Sequence, residues 1–306
     1  MKTAIMGAGG VGGFYGGRMA QAGQDVTFLA RGEHLEALRT DGLTIHSPTV
    51  GEIVLPQVTA SDDPARVGIV DVLWITVKSY GLTAAARSIH PLVGPDTIVI
   101  PFLNGVDAVE LIGAEIGPDH MAGGVVYVSA FIESPGVIRH VVADRLVIGE
   151  PGGGSSARLE AVEKELNAAG IAVEISDNIQ RDMWAKYCGL GGIAAVSAAA
   201  RADAGTLRGD PALYERCVAA MVEIQSLGLA LSIEVPQQAI DNWLSLATTW
   251  PPETKPSMLL DLERGRPMEL ESLVGYAVRK GQELGVPTPV LSDCYTTLKP
   301  FADGQS

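Results

Sequence analysis

The chain has 306 residues, of which 47% are apolar and 19% charged, so it carries enough apolar material for a large core and is not globally disordered. Its net charge of −14, from 22 basic and 36 acidic residues, argues against general nucleic-acid or anionic-membrane binding, which need a basic face. Three cysteines without metal or CxxC spacing exclude a disulfide framework and fit a reducing, cytoplasmic compartment. The 36 glycines, well above the usual ~7%, show no collagen period and must serve turns, close helix packing or ligand loops. The longest small-apolar run, Gly189 to Ala200, is too short to span a bilayer. Glycines would interrupt any signal-peptide core behind Lys2, so the N-terminus is expected to be mature and folded.

In chain order, Thr3 to Met6 reads as a buried strand and Val11 to Ala22 as a helix stopped by Gly23. Asp25 to Leu29 is a second strand, Glu33 to Arg39 a short helix, and Leu43 to His46 and Glu52 to Pro56 are strands flanking a turn at Ser47-Pro48. Val70 to Val77 is nearly apolar throughout, as a strand covered on both faces requires, and Thr97 to Pro101 is another. This alternation predicts a parallel sheet with helices on both faces. Met121 to Gly149 reads as successive strands around a turn at Ser134-Pro135-Gly136, a β-rich extension of that sheet. Pro151 to Ser155 is a connector, Arg158 to Ala169 a helix and Ile171 to Ile175 a final strand. Helices are then expected near 178–200, 210–231, 236–249, 257–265, 269–285 and 289–299. The fold class is therefore α/β, with residues 1–176 followed by an all-α domain over 177–306.

Gly7-Ala8-Gly9-Gly10-Val11-Gly12 fits G-x-G-x-x-G between a predicted strand and a predicted helix. Gly7 permits the tight turn, Gly9 lets backbone approach a pyrophosphate, and Gly12 lets the helix pack close to the strand. The helix start offers unpaired N–H groups to the anion. Residues 1–176 thus read as a Rossmann-type dinucleotide-binding domain. At the end of the second strand, where NAD binders usually carry an acid, stands Arg31, a planar cation suited to the 2′-phosphate of NADP. Glu33 leaves NAD open.

With this turn, Ala30-Arg31-Gly32, Val77-Lys78, Phe102-Leu103-Asn104-Gly105, Trp184-Ala185-Lys186 and Ser257-Met258 with Glu269, the chain resembles the ketopantoate reductase (2-dehydropantoate 2-reductase) family over nearly its whole length. The resemblance implies a Rossmann domain, a helical domain and a cleft between them. It implies NADPH-dependent reduction of a 2-oxo acid to a 2-hydroxy acid, in pantothenate biosynthesis for its best-known members.

The five histidines all lie in the first half, so an acid from the second domain must be another residue type. Lys186, on a helix beside Trp184 and before a small-residue stretch, can have a lowered pKa if desolvated; the resemblance makes it the general acid. Glu269, at a predicted helix start, is by resemblance the carboxylate that bonds the substrate hydroxyl and tunes the lysine. Ser257 reads as an N-cap, or by resemblance as a holder of the substrate carboxylate. Lys78 follows the most apolar strand, at the edge where α/β sheets bind ligands, and is assigned to the cofactor–substrate junction. Asn104 can bond both cofactor ribose and substrate. Four and eight residues past Lys186, where better-known reductases carry substrate-touching Asn, this chain has Leu190 and Ala194. A more apolar 2-oxo acid, another carbonyl or an imine then becomes a candidate substrate. A non-catalytic NADP(H)-binding sensor is the alternative from another class. Apolar helical surface allows a homodimer without identifying its interface.

Overall fold

The computed structural model describes residues 1–304. The first of its two units spans Met1–Leu103 and Ala108–Ile179. It begins with strand β1 (Lys2–Met6), helix α1 (Gly10–Gln21), β2 (Asp25–Leu29), α2 (Gly32–Thr40), β3 (Leu43–Ser47), β4 (Gly51–Leu55), β5 (Thr59–Ser61) and the single turn α3 (Pro64–Val67). Then come β6 (Val72–Ile75), α4 (Leu82–Ser88), β7 (Ile98–Pro101), α5 (Ala108–Ile116), the long hairpin β8 (Gly123–Ser134) and β9 (Val137–Gly149), α6 (Ala157–Ala168) and β10 (Val173–Ile175).

Five of these strands form a parallel sheet in the order β5-β2-β1-β6-β7. All four residues of β6 and of β7 are buried, which explains their continuous apolar sequence. One face packs Leu73, Ile75 and Val99 against Leu82 and Ala85 of α4 and Ile112 of α5. The opposite face packs Ile5, Phe28 and Trp74 into a core that also takes in Phe14 and Tyr15 of α1 and Ile45, Ile138 and Ile148 from other strands.

Those other strands correct one expectation and refine a second. Residues 121–149 do not extend the parallel sheet; β8 and β9 belong to a second five-stranded sheet, in which β9 pairs antiparallel with β8 and parallel with both β3 and β10. A lone bridge, Val99 with Met121, joins the two near the hairpin's start. The first sheet accordingly has helices α4 and α5 on one face, but α1 and the second sheet on the other. Sequence alternation reports that both faces are covered, not by what.

Glycines make this layering fit. On α1, a Cβ at Gly16 would stand 2.6 Å from Phe28 Cε1 of the first sheet, and one at Gly13 would stand 2.7 Å from Ile138 Cγ1 of the second. Side chains on either face would push the sheets off the helix.

The second unit spans Asn104–Asp107 and Gln180 onward. It contains no strand among the described residues. Its helices are α7 (Ile179–Ala200), α8 (Ala204–Gly209), α9 (Pro211–Ala230), α10 (Gln237–Thr249), α11 (Ser257–Glu263), α12 (Tyr276–Leu284) and α13 (Pro289–Leu298), with a π turn at Glu271–Gly275 leading into α12. Sequence-readable caps set several starts: Asp203 accepts from Thr206 N, and Asp210 from Ala212 N with Pro211 at the first helical position. One apolar core holds the unit together, including Tyr187, Ile224, Leu227, Leu259, Leu273 and Leu291. The elements β5, α3, α4, α5 and α8, none longer than nine residues, escape the sequence reading because so short a stretch carries little period to detect.

Candidate active-site groups in the two units

In the first unit, β1 ends at Met6 and the chain turns at Gly7, whose φ of +103° suits glycine alone. A Cβ there would lie 2.8 Å from Val77 N. Gly7 N donates to Leu29 O at 3.0 Å, and Thr76 Oγ1 donates to Gly7 O at 2.7 Å, so β2 and the end of β6 fix the turn. Gly9 is the N-cap of α1, with no side chain capping the helix's first amides. A Cβ on Gly9 would meet nothing within 4 Å, whereas one on Gly10 would run into Ala130 O. A Cβ on Gly12 would also collide, with Gly7 O and Thr76 Oγ1. Open backbone at the second glycine and tight packing at the first and third suit the pyrophosphate of a dinucleotide. Ala8, Gly10 and Val11 complete the stretch.

The turn has a brace the sequence did not disclose. His34 of α2 accepts from Gly136 N through Nδ1 at 3.0 Å, so its Nε2 carries the proton and donates to Ala8 O at 2.8 Å. Burial lowers the pKa of His34, with its bond to Ala8 acting the other way, which favours this neutral form. Arg31 is the exposed N-cap residue of α2 at the end of β2, and Glu33 is exposed within the first turn. Strand β6 ends at Ile75, two residues earlier than expected, and Lys78 is an exposed residue capping a short 3₁₀ turn over Ser79–Gly81.

The second unit gathers three of the sequence candidates. Asn104 stands in the four-residue segment that groups with the helices. Lys186 Nζ donates to Asn104 Oδ1 at 3.1 Å, and Asn104 Nδ2 donates to Glu269 Oε2 at 3.4 Å. One amide thus presents its acceptor to the ammonium and its donor to the carboxylate. Lys186 is 8% exposed and Glu269 5%. Burial lowers the Lys186 pKa to about 8, with the Glu269 charge acting to raise it. An ammonium of this acidity is still mostly protonated at neutral pH yet releases its proton readily, as a general acid must.

The remaining candidates are less central. Ser257 is exposed and is the first residue of α11; Pro256 is the N-cap, and no side-chain cap bond forms, so the capping reading of Ser257 does not hold. Leu190 is half-buried, one helical turn from Lys186 on α7, while Ala194 is 2% exposed within the unit's apolar core. Among the described residues no helix is long and apolar enough to cross a membrane, and no group of three or more His, Cys, Asp or Glu is placed to hold a metal ion. All three cysteines are free and buried.

Comparison with known proteins agrees with this α/β-then-helical architecture. Residues 3–153 match the model of the ketopantoate reductase PanE/ApbA family, and residues 178–302 match that family's C-terminal model. A 2-dehydropantoate 2-reductase from Mesorhizobium japonicum is 33% identical, covering 99% of this chain and 98% of its own. The crystal structure of a PanE/ApbA family ketopantoate reductase from Ralstonia eutropha superimposes with a TM-score of 0.90 at 30% identity, covering 99% and 98% of the two chains. A D-mandelate dehydrogenase solved with NADH and anilino(oxo)acetate shares the fold at 21% identity and a TM-score of 0.89, over 99% of this chain and 98% of that one. The class is a family of oxidoreductases. The chain belongs to the ketopantoate reductase family.

Proposed function

We propose that this protein reduces 2-dehydropantoate or a related 2-oxo acid to the 2-hydroxy acid with NADPH, using Lys186 as general acid. The observation that carries the reading is the buried Lys186–Asn104–Glu269 chain of hydrogen bonds, more polar machinery than nucleotide binding alone requires. NADPH, when bound, supplies the hydride. Gly7 to Gly12 would hold its pyrophosphate, Arg31 its 2′-phosphate, and Lys78 and Asn104 the nicotinamide end.

The substrate carbonyl carbon gains a hydride and its oxygen gains the proton of Lys186 Nζ, which leaves a neutral amine to be reprotonated from solvent. Asn104 orients that amine through Oδ1, and Glu269 favours its charged form and accepts from the new hydroxyl. Ser257 is assigned to the substrate carboxylate. Leu190 favours a second reading of the substrate. A half-buried apolar side chain one turn from Lys186 suits a 2-oxo acid with an apolar rather than a hydroxylated tail.

The test is a panel of 2-oxo acids, 2-dehydropantoate included, offered with NADPH and NADH in parallel. Oxidation of NADPH with at least one branched or aryl 2-oxo acid is expected, with NADH the poorer donor. Intact NADPH binding without turnover on any member would replace the enzyme by a nucleotide sensor.

A further inference from the structure

Helix α12 is preceded by a stretch that is not α-helical. Over Glu271–Gly275 the backbone is widened into a π turn, and Tyr276 N bonds Glu271 O, one residue beyond α spacing. Leu273 lies within this turn and Ala277 just past it, an i,i+4 pair that an unbroken α-helix joins directly. There Tyr187, on α7 beside Lys186, donates its hydroxyl to Leu273 O at 2.9 Å, and the Ala277 N–H faces the Tyr187 hydroxyl oxygen, so the hydroxyl bridges the two backbone groups. Tyr187 is 1% exposed, and burial pushes its hydroxyl well above the ordinary pKa, so it acts as a fixed neutral donor.

The same turn touches the other two pieces of the site. Leu273 N donates to Glu269 O at 3.1 Å, and Ser272 Oγ donates to the same carbonyl at 3.2 Å. Gly105, next to Asn104, has a φ of +96°, and a Cβ there would lie 3.4 Å from Ser272 O. On its outer side the turn is clamped. The Glu271 carboxylate accepts from Arg279 Nη1 at 2.6 Å, Tyr295 OH at 2.8 Å and Lys299 Nζ at 2.5 Å, while Arg279 Nη2 donates to Glu271 O at 3.1 Å. Burial works to raise the Glu271 pKa, yet Lys299, Tyr295 and Arg279 together hold it down at about 2.

We propose that Tyr187 is a positioning residue: its hydroxyl holds the π turn open, and the turn in turn holds Glu269 and Asn104 against Lys186. The inference rests on the reading of Lys186 as general acid only for its kinetic readout. Tyr187 is not a catalytic residue, since it acts through backbone. A purely architectural role, as one ring of the Trp184–Tyr187–Tyr276 cluster, would depend on the aromatic ring and not on the hydroxyl.

Tyr187→Phe in the full-length protein separates the two. Expected are a kcat roughly tenfold to a hundredfold lower with the KM for NADPH within about twofold. The basic limb of the kcat–pH profile is expected to move down by about one pH unit, because a displaced Glu269 no longer raises the proton affinity of Lys186. The crystal structure of the variant is expected to show the Lys186–Asn104 or Asn104–Glu269 bond broken. A lower melting temperature with both bonds kept and the limb unmoved overturns the proposal. If no 2-oxo acid is turned over even by the wild type, the proposed function fails, and the two bonds in the variant's crystal structure still decide this inference. Should Tyr187→Phe fail to fold, Glu271→Gln releases the outer clamp; a smaller shift of the limb in the same direction supports the proposal, and an unmoved limb with both bonds kept overturns it.

Discussion

At the end of β1, Gly7, Gly9 and Gly12 present only backbone, and what matters is the absence of side-chain atoms: one glycine faces open space while the two beside it are packed to contact. On α7, Lys186 is a long charged side chain taken out of water and held by Asn104, with its pKa brought to about 8. The first site is built from shape and fixed dipoles, and the one imidazole that braces it, His34, is kept neutral by burial. The second is built from a titratable group kept under strain by desolvation. One should be sensitive to added carbon and indifferent to pH, the other the reverse.

Lys186→Ala gives the largest expected effect on this contrast. It should lower kcat by roughly 10³-fold, within the range for loss of a general acid, with NADPH affinity nearly unchanged in a fluorescence titration. Equal losses in both would erase the division of labour between the two sites.

Stability against pH comes next. Unfolded Lys186 has its ordinary pKa and the folded one about 8, so between those values the unfolded chain binds more protons and folding gains as pH rises. Below pH 8 both states are protonated and the burial cost is present in full. Chemical denaturation of wild type and Lys186→Met should therefore show the difference moving in the wild type's favour by up to about 3 kcal/mol from pH 8 to 10.5. A flat difference would mean that water reaches the ammonium.

Gly12→Ala and Gly9→Ala sharpen the other side. Gly12→Ala should cost about 1–3 kcal/mol of stability through the clash with Gly7 O and Thr76 Oγ1, read as a lower denaturation midpoint. Gly9→Ala should leave that midpoint nearly unchanged and instead weaken NADPH binding, since its methyl enters the space the pyrophosphate would take. The smallest expected effect is that of Leu190→Asn: a several-fold improvement for 2-dehydropantoate over an apolar 2-oxo acid, from one regained amide contact worth about 1 kcal/mol. No change in that ratio would remove Leu190 from the determinants of substrate choice.

The glycine turn was legible because its strand, turn and helix are contiguous and each glycine answers to a local need. Lys186 and Glu269 were legible as types, through a lysine beside Trp184 and an acid ahead of a helix. That Glu269 tunes the lysine was expected from the resemblance alone, and the Asn104 bridge between them was not legible, because Asn104 leaves the first unit for only four residues, an excursion decided by packing and not by period. The second sheet was hidden for the same reason: Thr44 pairs with Val137, and His46 with Arg139, across more than ninety residues. Tyr187 and His34 act through backbone carbonyls and amides, and nothing in a sequence marks which carbonyl a hydroxyl or an imidazole will meet.

Helix α1 has five glycines among its twelve residues, GVGGFYGGRMAQ. At roughly 1 kcal/mol each relative to alanine, they leave a segment with no tendency to coil by itself. Its helical form rests on packing between Phe28 on one side and Ile138 on the other. The amides that would meet the pyrophosphate are therefore held in line by the two sheets and not by any helical preference of their own segment.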